Sequence, residues 1–222
     1  RDKPENGMPE LTDLKQRLRD QRDLLNELQS TRLHRALSWL NAAQQHDEDA
    51  DLRFICSWIS FSACCFVEES SSSPLEEQLA FQNFIQQLVN LDPDERIYDC
   101  LWHQFSGPVR ALIKNPYVFA PFWESQRRGD DCWKEAFDLS SVAALNFLSR
   151  KKVPELLGIV LDRLYVLHNQ VVRGGATWQS RVNREQVEDG GKLLLALMPV
   201  VIDIMLTHSD HDWGELAYPV VK

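Results

Sequence analysis

The chain has 222 residues, a length that suits one large domain or two small ones and allows a substantial buried core. Hydrophobic residues make up 44% and charged residues 26%, which excludes intrinsic disorder as the main state. Lys and Arg number 24 against 33 Asp and Glu, so the formal net charge is -9. A general nucleic-acid coat or a polybasic membrane binder needs a large positive field and is therefore disfavoured, whereas a local basic site on an acidic body stays open.

Cysteine usage and apolar runs predict a cytoplasmic protein. The five cysteines show no disulfide-framework spacing and most lie beside apolar residues, which favours buried free thiols in a reducing compartment. The longest apolar runs, 54–67 and 193–206, reach about 14 residues, short of the ~20 that a membrane span needs. The first ten residues lack the apolar core of a secretory signal. We therefore expect no membrane partner.

Helical periodicity dominates the chain, and the period-two alternation of strands is nearly absent. A leucine stripe over 11–28 predicts an N-terminal helix, and its pattern resumes over 33–40 before the acidic stretch 46–51. Residues 70–73 predict a polar loop, with Pro74 in the first turn of the next helix. Gly174 and Gly175 predict a left-handed helix end. The further helices are predicted over residues 51–67, 76–91, 94–102, 109–114, 133–148, 153–173 and 183–206.

Three segments depart from this helical pattern. Gly107 and Pro108 predict an interruption, residues 115–123 a packed irregular segment, and residues 208–222 a loop-like tail. Pro199 predicts a kink in the last long helix. We predict one all-α helical bundle over residues 32–222, preceded by a flexible N-terminus and a helical extension over residues 1–31.

One window stands out from the acidic background, because no carboxylate occurs between residues 162 and 185. It contains four arginines, which predict an anion site, most simply for phosphate, since guanidinium groups bind phosphate oxygens in pairs. A solvated helix face whose arginines pair with acids from elsewhere is the alternative. The candidate substrate-binding residues of this region are Arg163, Gln170, Trp178, Arg181 and Arg184.

His168 is the one ring in this window whose charge changes near neutral pH, so it is the candidate general acid or base. It is followed by Asn169, and Arg163 and Arg173 each lie five residues away. A structural histidine on a helix is the competing interpretation.

Residues 163–178 resemble the signature helix of HEPN-domain proteins, and more specifically of the bacterial Apea-like HEPN group. Separated segments at 105–110, 115–119, 121–123 and 218–221 match in the same order, so the resemblance covers roughly residues 32–222. It implies an α-helical bundle, often dimeric, and often a metal-independent endoribonuclease.

The family signature is an Arg, a polar residue and then a His five positions after the Arg. At these positions the chain has His168, Asn169 and Arg173, so the two charged residues are exchanged. A second register, Arg163 to His168, restores the order but places Leu164 at the polar position. Five helical residues advance about 7.5 Å and rotate about 140°, so one chain does not place both side chains on one face. A two-fold dimer with a shared cleft solves this problem.

The mechanism implied by the resemblance uses no metal and no cofactor. The 2′-hydroxyl of RNA attacks the phosphorus, His168 transfers a proton, and Arg173 stabilises the developing charge. Asn169 orients the phosphate or the imidazole. The product is a 2′,3′-cyclic phosphate, and DNA is inert because it lacks the hydroxyl.

Other candidate residues are weaker. His208, His211 and Asp212 are of metal-ligating types, but a solvated turn explains them as well. The pair Arg127 and Arg128 is interpreted as a solvated helix end. The leading hypothesis is a HEPN-type endoribonuclease, a toxin or phage-defence effector by analogy, acting on RNA as a homodimer with a cognate inhibitor protein. The alternative is a catalytically inactive HEPN module that dimerises and binds RNA or a protein.

Overall fold

The computed structural model of the protein describes residues 9–65, 74–216 and 218–221, and for residues 74–78 it describes the backbone alone. All regular structure in these ranges is helical, which confirms the all-α prediction. The π-helix Cys100–Gln104 and the 3-10 turn Pro116–Val118 join the α-helices. The α-helices are α1 Leu11–Asp20, α2 Glu27–Gln45, α3 Ala50–Cys65, α4 Pro74–Asn90, α5 Arg96–Asp99, α6 Ser106–Lys114, α7 Ala120–Arg128, α8 Trp133–Ser149, α9 Val153–Val172 and α10 Arg184–Thr207.

The centre of the bundle is α3, which packs most extensively against α2 and α10. Two glycines allow the approach of α10. A Cβ on Gly190 would lie 2.8 Å from Leu164 and 3.2 Å from the Phe54 ring, and one on Gly191 would lie 3.1 Å from Arg53 Nε. These positions therefore require the smallest side chain, because interiors are packed too densely to absorb an extra methyl group.

Helix α1 joins the same core as the rest of the bundle. It packs against α2 and α10, and its three leucines at positions 11, 14 and 18 are buried. Arg17 of α1 and Arg96 of α5 both form ion pairs with Asp203 of α10. The expected boundary at residue 31 falls inside α2, which begins at Glu27 after Asn26 accepts a 2.7 Å hydrogen bond from the Gln29 amide. A separable extension over 1–31 stays a prediction.

Two expectations for the middle of the chain are wrong. Residues 115–123 are mostly helical, because a 3-10 turn leads into α7, where Pro121 lies in the first turn and its missing N–H costs nothing. Gly107 and Pro108 do not interrupt a helix, since they occupy the first turn of α6. The expected loop 70–73 lies outside the described residues, and α4 begins at Pro74 as predicted.

The end of α9 follows the prediction. Gly174 has a φ of +71°, in the left-handed region, and the Gly175 amide donates to the Gln170 carbonyl at 2.7 Å. A Cβ on Gly175 would lie 2.8 Å from that same carbonyl oxygen. The two glycines are therefore required for different reasons, the first by backbone conformation and the second by space.

The tail after α10 is irregular, as expected, but it is anchored by a residue that sequence reasoning missed. Arg32 of α2 is fully buried, and its guanidinium donates to the backbone carbonyls of Cys64, Trp213, Gly214 and Glu215 at 2.7–2.9 Å. No carboxylate accepts from it among the described residues, so its hydrogen-bond partners there are backbone carbonyls.

Helix α10 is longer than the apolar run counted from the sequence. In the described part of the chain it is the one helix with the length and composition of a membrane span. The core helix of a soluble protein has the same properties, and 78% of its most apolar window is buried inside the bundle. Length and composition alone therefore do not distinguish the two situations.

Candidate functional site

The arginine-rich window contains two arginines whose charges are occupied by other parts of the fold. Arg163 is buried between α9 and α8, where it lies 4.2 Å from the Phe119 ring centroid and donates to Ser140 Oγ at 3.1 Å. Burial lowers the pKa of Arg163 to about 10, and the charge of Asp162 opposes that shift. Its guanidinium therefore packs the interior and is not presented to a substrate, unlike the expectation from the sequence.

The second occupied arginine is Arg184, which forms a 2.9 Å ion pair with Asp51 at the start of α3. The Gln179 amide donates to the same carboxylate, and Trp178 Nε1 donates to Asp49 at 2.9 Å. The window without carboxylates thus folds against the acidic stretch that precedes it by more than 100 residues. For Arg184 the alternative of pairing with distant acids is the observed one.

His168 lies on the side of α9 that faces α3. Its ring stacks on Trp58 with centroids 5.2 Å apart and an interplanar angle of 21°. Its Nδ1 is buried without a hydrogen-bond partner, and burial lowers the pKa of the imidazole below its ordinary value. The ring is therefore neutral at pH 7 and able to accept a proton.

Asn169 and Arg173 lie instead in an open groove between α7 and the end of α9, which we call the Arg173 groove. Its cavity volume is about 470 Å³. His168 does not line it, as the rotation of about 140° per five helical residues requires. The main lining side chains are Trp123, Glu124 and Arg127 from α7, Tyr165, Asn169, Gln170 and Arg173 from α9 and its cap, and Val182 and Asn183 before α10.

Hydrogen bonds hold the walls of the Arg173 groove in place. Gln170 Nε2 donates to the Tyr117 carbonyl at 2.6 Å, and Trp123 Nε1 donates to the same oxygen at 2.7 Å. Asn183 Nδ2 donates to Gln170 Oε1 at 2.9 Å. Both polar atoms of the Gln170 side chain are therefore engaged by the fold, so Gln170 acts as a positioning residue, while the side chain of Asn169 forms no hydrogen bond among the described residues.

Arg127 and Arg173 bring two charges to this groove from two different helices. Neither takes part in an ion pair within the described ranges. Among the residues that line the Arg173 groove, Glu124 is the one with a carboxylate. Arg181 is exposed and lies outside the lining, so the structure brings together Asn169, Gln170 and Arg173 of the predicted set.

Arg127 is the main residue that sequence reasoning missed, since it was interpreted as a solvated helix end together with Arg128. Trp123 and Arg127 are four residues apart and share one face once residues 120–128 are helical. Helical spacing in that segment was the available signal, but its proline and aromatic residues obscured it. Arg128 differs from its neighbour because it pairs with Asp130 at 2.8 Å.

The described residues contain no group of three or more His, Cys, Asp or Glu side chains able to hold a metal ion. His208 and His211 serve the tail instead, where Trp213 Nε1 donates to the His208 carbonyl and the His211 ring packs on Trp213 at 4.7 Å. Comparison with protein-family models, with curated proteins and with solved structures finds no match for this chain.

Proposed function

We propose that this protein is an RNA-binding helical module, and that the Arg173 groove binds single-stranded RNA. The observation that carries the proposal is the convergence of Arg127 and Arg173, both without ion-pair partners in the described ranges, on one groove with exposed aromatic rings. Single-stranded nucleic acids are bound by this combination, with cations along the phosphates and aromatic faces under the bases.

The aromatic component comes from Trp123 and Tyr165, whose side chains are 38% and 49% exposed. Trp123 is fixed by its bond to the Tyr117 carbonyl, so little rotamer freedom is lost when a base stacks on it. The unpaired amide of Asn169 between them supplies a donor and an acceptor for a base edge. Two arginines against one carboxylate give a net positive groove on an acidic protein, so binding is expected to be local and salt-sensitive.

This function corresponds to the binding-module alternative of the HEPN resemblance. Groove binding needs no second copy of the chain, whereas the resemblance adds a homodimer and a cognate protein partner as expectations. A role in a toxin or defence system is consistent with that resemblance. RNA binding in the groove depends only on Arg127, Arg173 and the aromatic rings beside them.

Metal-independent RNA cleavage is the second candidate function, and the state of His168 favours it. The half-buried imidazole is neutral because burial lowers its pKa, and since Nδ1 is buried, Nε2 is the nitrogen that can serve as a general base. Since His168 lies outside the Arg173 groove, cleavage requires a dimer in which the groove of a second copy approaches this ring. A strict monomer therefore argues against cleavage by this route, whereas a dimer is compatible with both candidates.

The binding proposal is tested by fluorescence anisotropy with a 12-nucleotide RNA at several salt concentrations. R127A and R173A should each weaken binding roughly ten-fold, since each removes one charge-assisted contact. The double variant should lower the salt slope by about 1.4, from the ~0.7 per phosphate contact of single strands. R128A is the matched control, because Arg128 is adjacent, has the same charge and pairs with Asp130. Equal losses in R128A and R127A would show diffuse binding and overturn the proposal.

The cleavage proposal is tested on the same RNA with EDTA present, followed by end-group analysis. Cleavage by this route leaves a 2′,3′-cyclic phosphate, and H168A should slow it about 10²–10⁴-fold. The variant H168R with R173H restores the family order of the two residues. Light scattering at micromolar concentration reports the dimer that this chemistry requires, and a strict monomer that cleaves RNA would contradict it.

A further inference from the structure

A second basic pocket lies where α1, α2 and the C-terminal tail meet, and it is formed by other residues than the Arg173 groove. We call it the tail pocket, and its cavity volume is about 510 Å³. The residues that line it are Leu18, Arg19, Arg22, Ser30, Thr31, His34, Arg35 and Val220. Three arginines and one histidine line it without any carboxylate, in a chain whose net charge is -9.

The charges of this pocket are not neutralised by the surrounding fold. Arg19 donates to Gln16 at 3.0 Å, and Arg35 donates to the Tyr218 carbonyl at 2.6 Å, both uncharged acceptors. The side chain of Arg22 forms no hydrogen bond or ion pair within the described ranges. Asp20 is adjacent in sequence but accepts from Gln16 and does not line the pocket. Three guanidinium groups thus face one cavity with donors to spare.

Hydroxyl donors stand beside these cations on one face of α2. Ser30 and His34 are four residues apart, as are Thr31 and Arg35, so the four side chains form two adjacent pairs along the helix. Hydroxyl and guanidinium donors in this proximity are the groups that bind phosphate oxygens. A carboxylate would be held as well by a single arginine, whereas three arginines with two hydroxyls match the greater charge and oxygen count of a phosphate.

The remaining wall is apolar. Leu18 of α1 is buried, and Val220 of the tail is 57% exposed and closes the pocket from the other side. A cavity of this size holds a ligand of mononucleotide dimensions, since small-molecule sites typically span about 300–1,000 Å³. Leu18 and Val220 thus offer apolar contacts for a base beside the arginines that would hold its phosphate.

We propose that the tail pocket binds a nucleotide through its terminal phosphate, and that the bound nucleotide orders the C-terminal tail. The tail connection follows from the two anchors already present, because Arg35 holds the Tyr218 carbonyl and Val220 forms one wall. A ligand across this pocket adds contacts to residues 218–221, which lie beyond the residues 213–215 that Arg32 anchors. The site is independent of the RNA-binding proposal, since the two cavities share no lining residue.

Titration calorimetry with AMP, ATP and inorganic pyrophosphate tests the proposal on the full chain. The variant R19A/R22A should weaken nucleotide binding at least ten-fold, because it removes two charge-assisted contacts from two exposed positions. R150A is the matched control, since Arg150 is exposed at the end of α8 and outside both cavities. V220A should weaken nucleotides more than pyrophosphate, because it removes an apolar contact to the base without adding charge.

Two further arms identify the source of the phosphate. The first arm compares a 5′-phosphorylated RNA with its 5′-hydroxyl counterpart. If the phosphorylated RNA binds more tightly, and if R19A/R22A loses this preference while R127A keeps it, the pocket holds an RNA end. If only free nucleotides bind, the pocket holds a small ligand. Protection of the tail from limited proteolysis by the ligand is expected in either case. Absence of nucleotide binding, or equal loss in R19A/R22A and R150A, would overturn the proposal, as would preference for an acidic peptide over every phosphate compound.

Discussion

Replacement of Arg32 by methionine probes how a buried charge with no carboxylate partner anchors the C-terminal tail. The guanidinium donates to four backbone carbonyls, three of them in the consecutive tail residues 213–215. Methionine has a similar length and no donor, so the change removes the hydrogen bonds with little loss of packing volume. Residues 213–215 then keep carbonyl groups that have lost their donor.

The expected loss of stability is about 3–5 kcal/mol, because each buried carbonyl left without its donor costs about 1–3 kcal/mol. Hydrogen bonds to a charged group contribute about 1.5–3 kcal/mol each, but the recovered desolvation cost of the guanidinium offsets part of their sum. Burial lowers the pKa of Arg32, which is the sign of that cost. For a chain of this size the loss corresponds to a fall in Tm of roughly 6–20 °C.

Urea denaturation followed by circular dichroism measures the free energy of unfolding, and hydrogen exchange at residues 213–216 reports the release of the tail. R32K should fall between wild type and R32M, because an ammonium has three donors in place of five. R35M is the control, since Arg35 makes one bond to a tail carbonyl from a more exposed position. An R32M variant within about 0.5 kcal/mol of wild type, the usual range of surface changes, would refute the reasoning.

Three other changes test the packing and the histidine. G190A should cost about 1–3 kcal/mol in urea unfolding because its Cβ would lie 2.8 Å from Leu164, whereas G107A, with open space around it, should be near neutral. D203N removes the negative charge that two arginines share and should cost about 2 kcal/mol by the same measurement, discounted for their partial exposure. The pKa of His168 is lowered in the folded state, so the unfolded chain binds more protons below pH ~6.5 and stability falls on acidification through that window. H168Q should show a smaller loss between pH 7.5 and pH 5, and an unchanged pH profile would contradict the burial of the ring.

Local signals in the sequence predicted most of the helices. The end of α9 is the clearest case, because Gly174 adopts the left-handed conformation that few other residues tolerate. The helices α4, α8, α9 and α10 begin and end within about three residues of the predicted bounds, the usual precision of such boundaries. Where prolines and aromatic residues were dense, before and within α7, the local pattern favoured the wrong interpretation.

The candidate site could be predicted in part. The region around Arg173 and Asn169 was identified from charge and motif, and both residues line the groove. Arg127 was missed because its role depends on α7 packing beside α9, which no spacing within either segment reveals. Arg163 was placed among the substrate-binding residues because a charge is expected at the surface, whereas two phenylalanine rings and Ser140 make its burial tolerable.

The sequence by itself determined the all-helical class and the chemistry available near the end of α9, since helix periodicity and termination depend on residues only a few positions apart. Tertiary structure alone decided which charges remain free for a ligand. Arg184 is neutralised by Asp51, which lies 133 positions away, and the two terminal nitrogens of Arg32 donate to tail carbonyls 181 to 183 positions away. Such pairings depend on how the helices pack together. Arg184 and Arg173 look alike in the sequence, but Arg184 is paired with a carboxylate in the fold. Arg173 remains available to a ligand in its groove, because no carboxylate of the described residues forms an ion pair with it.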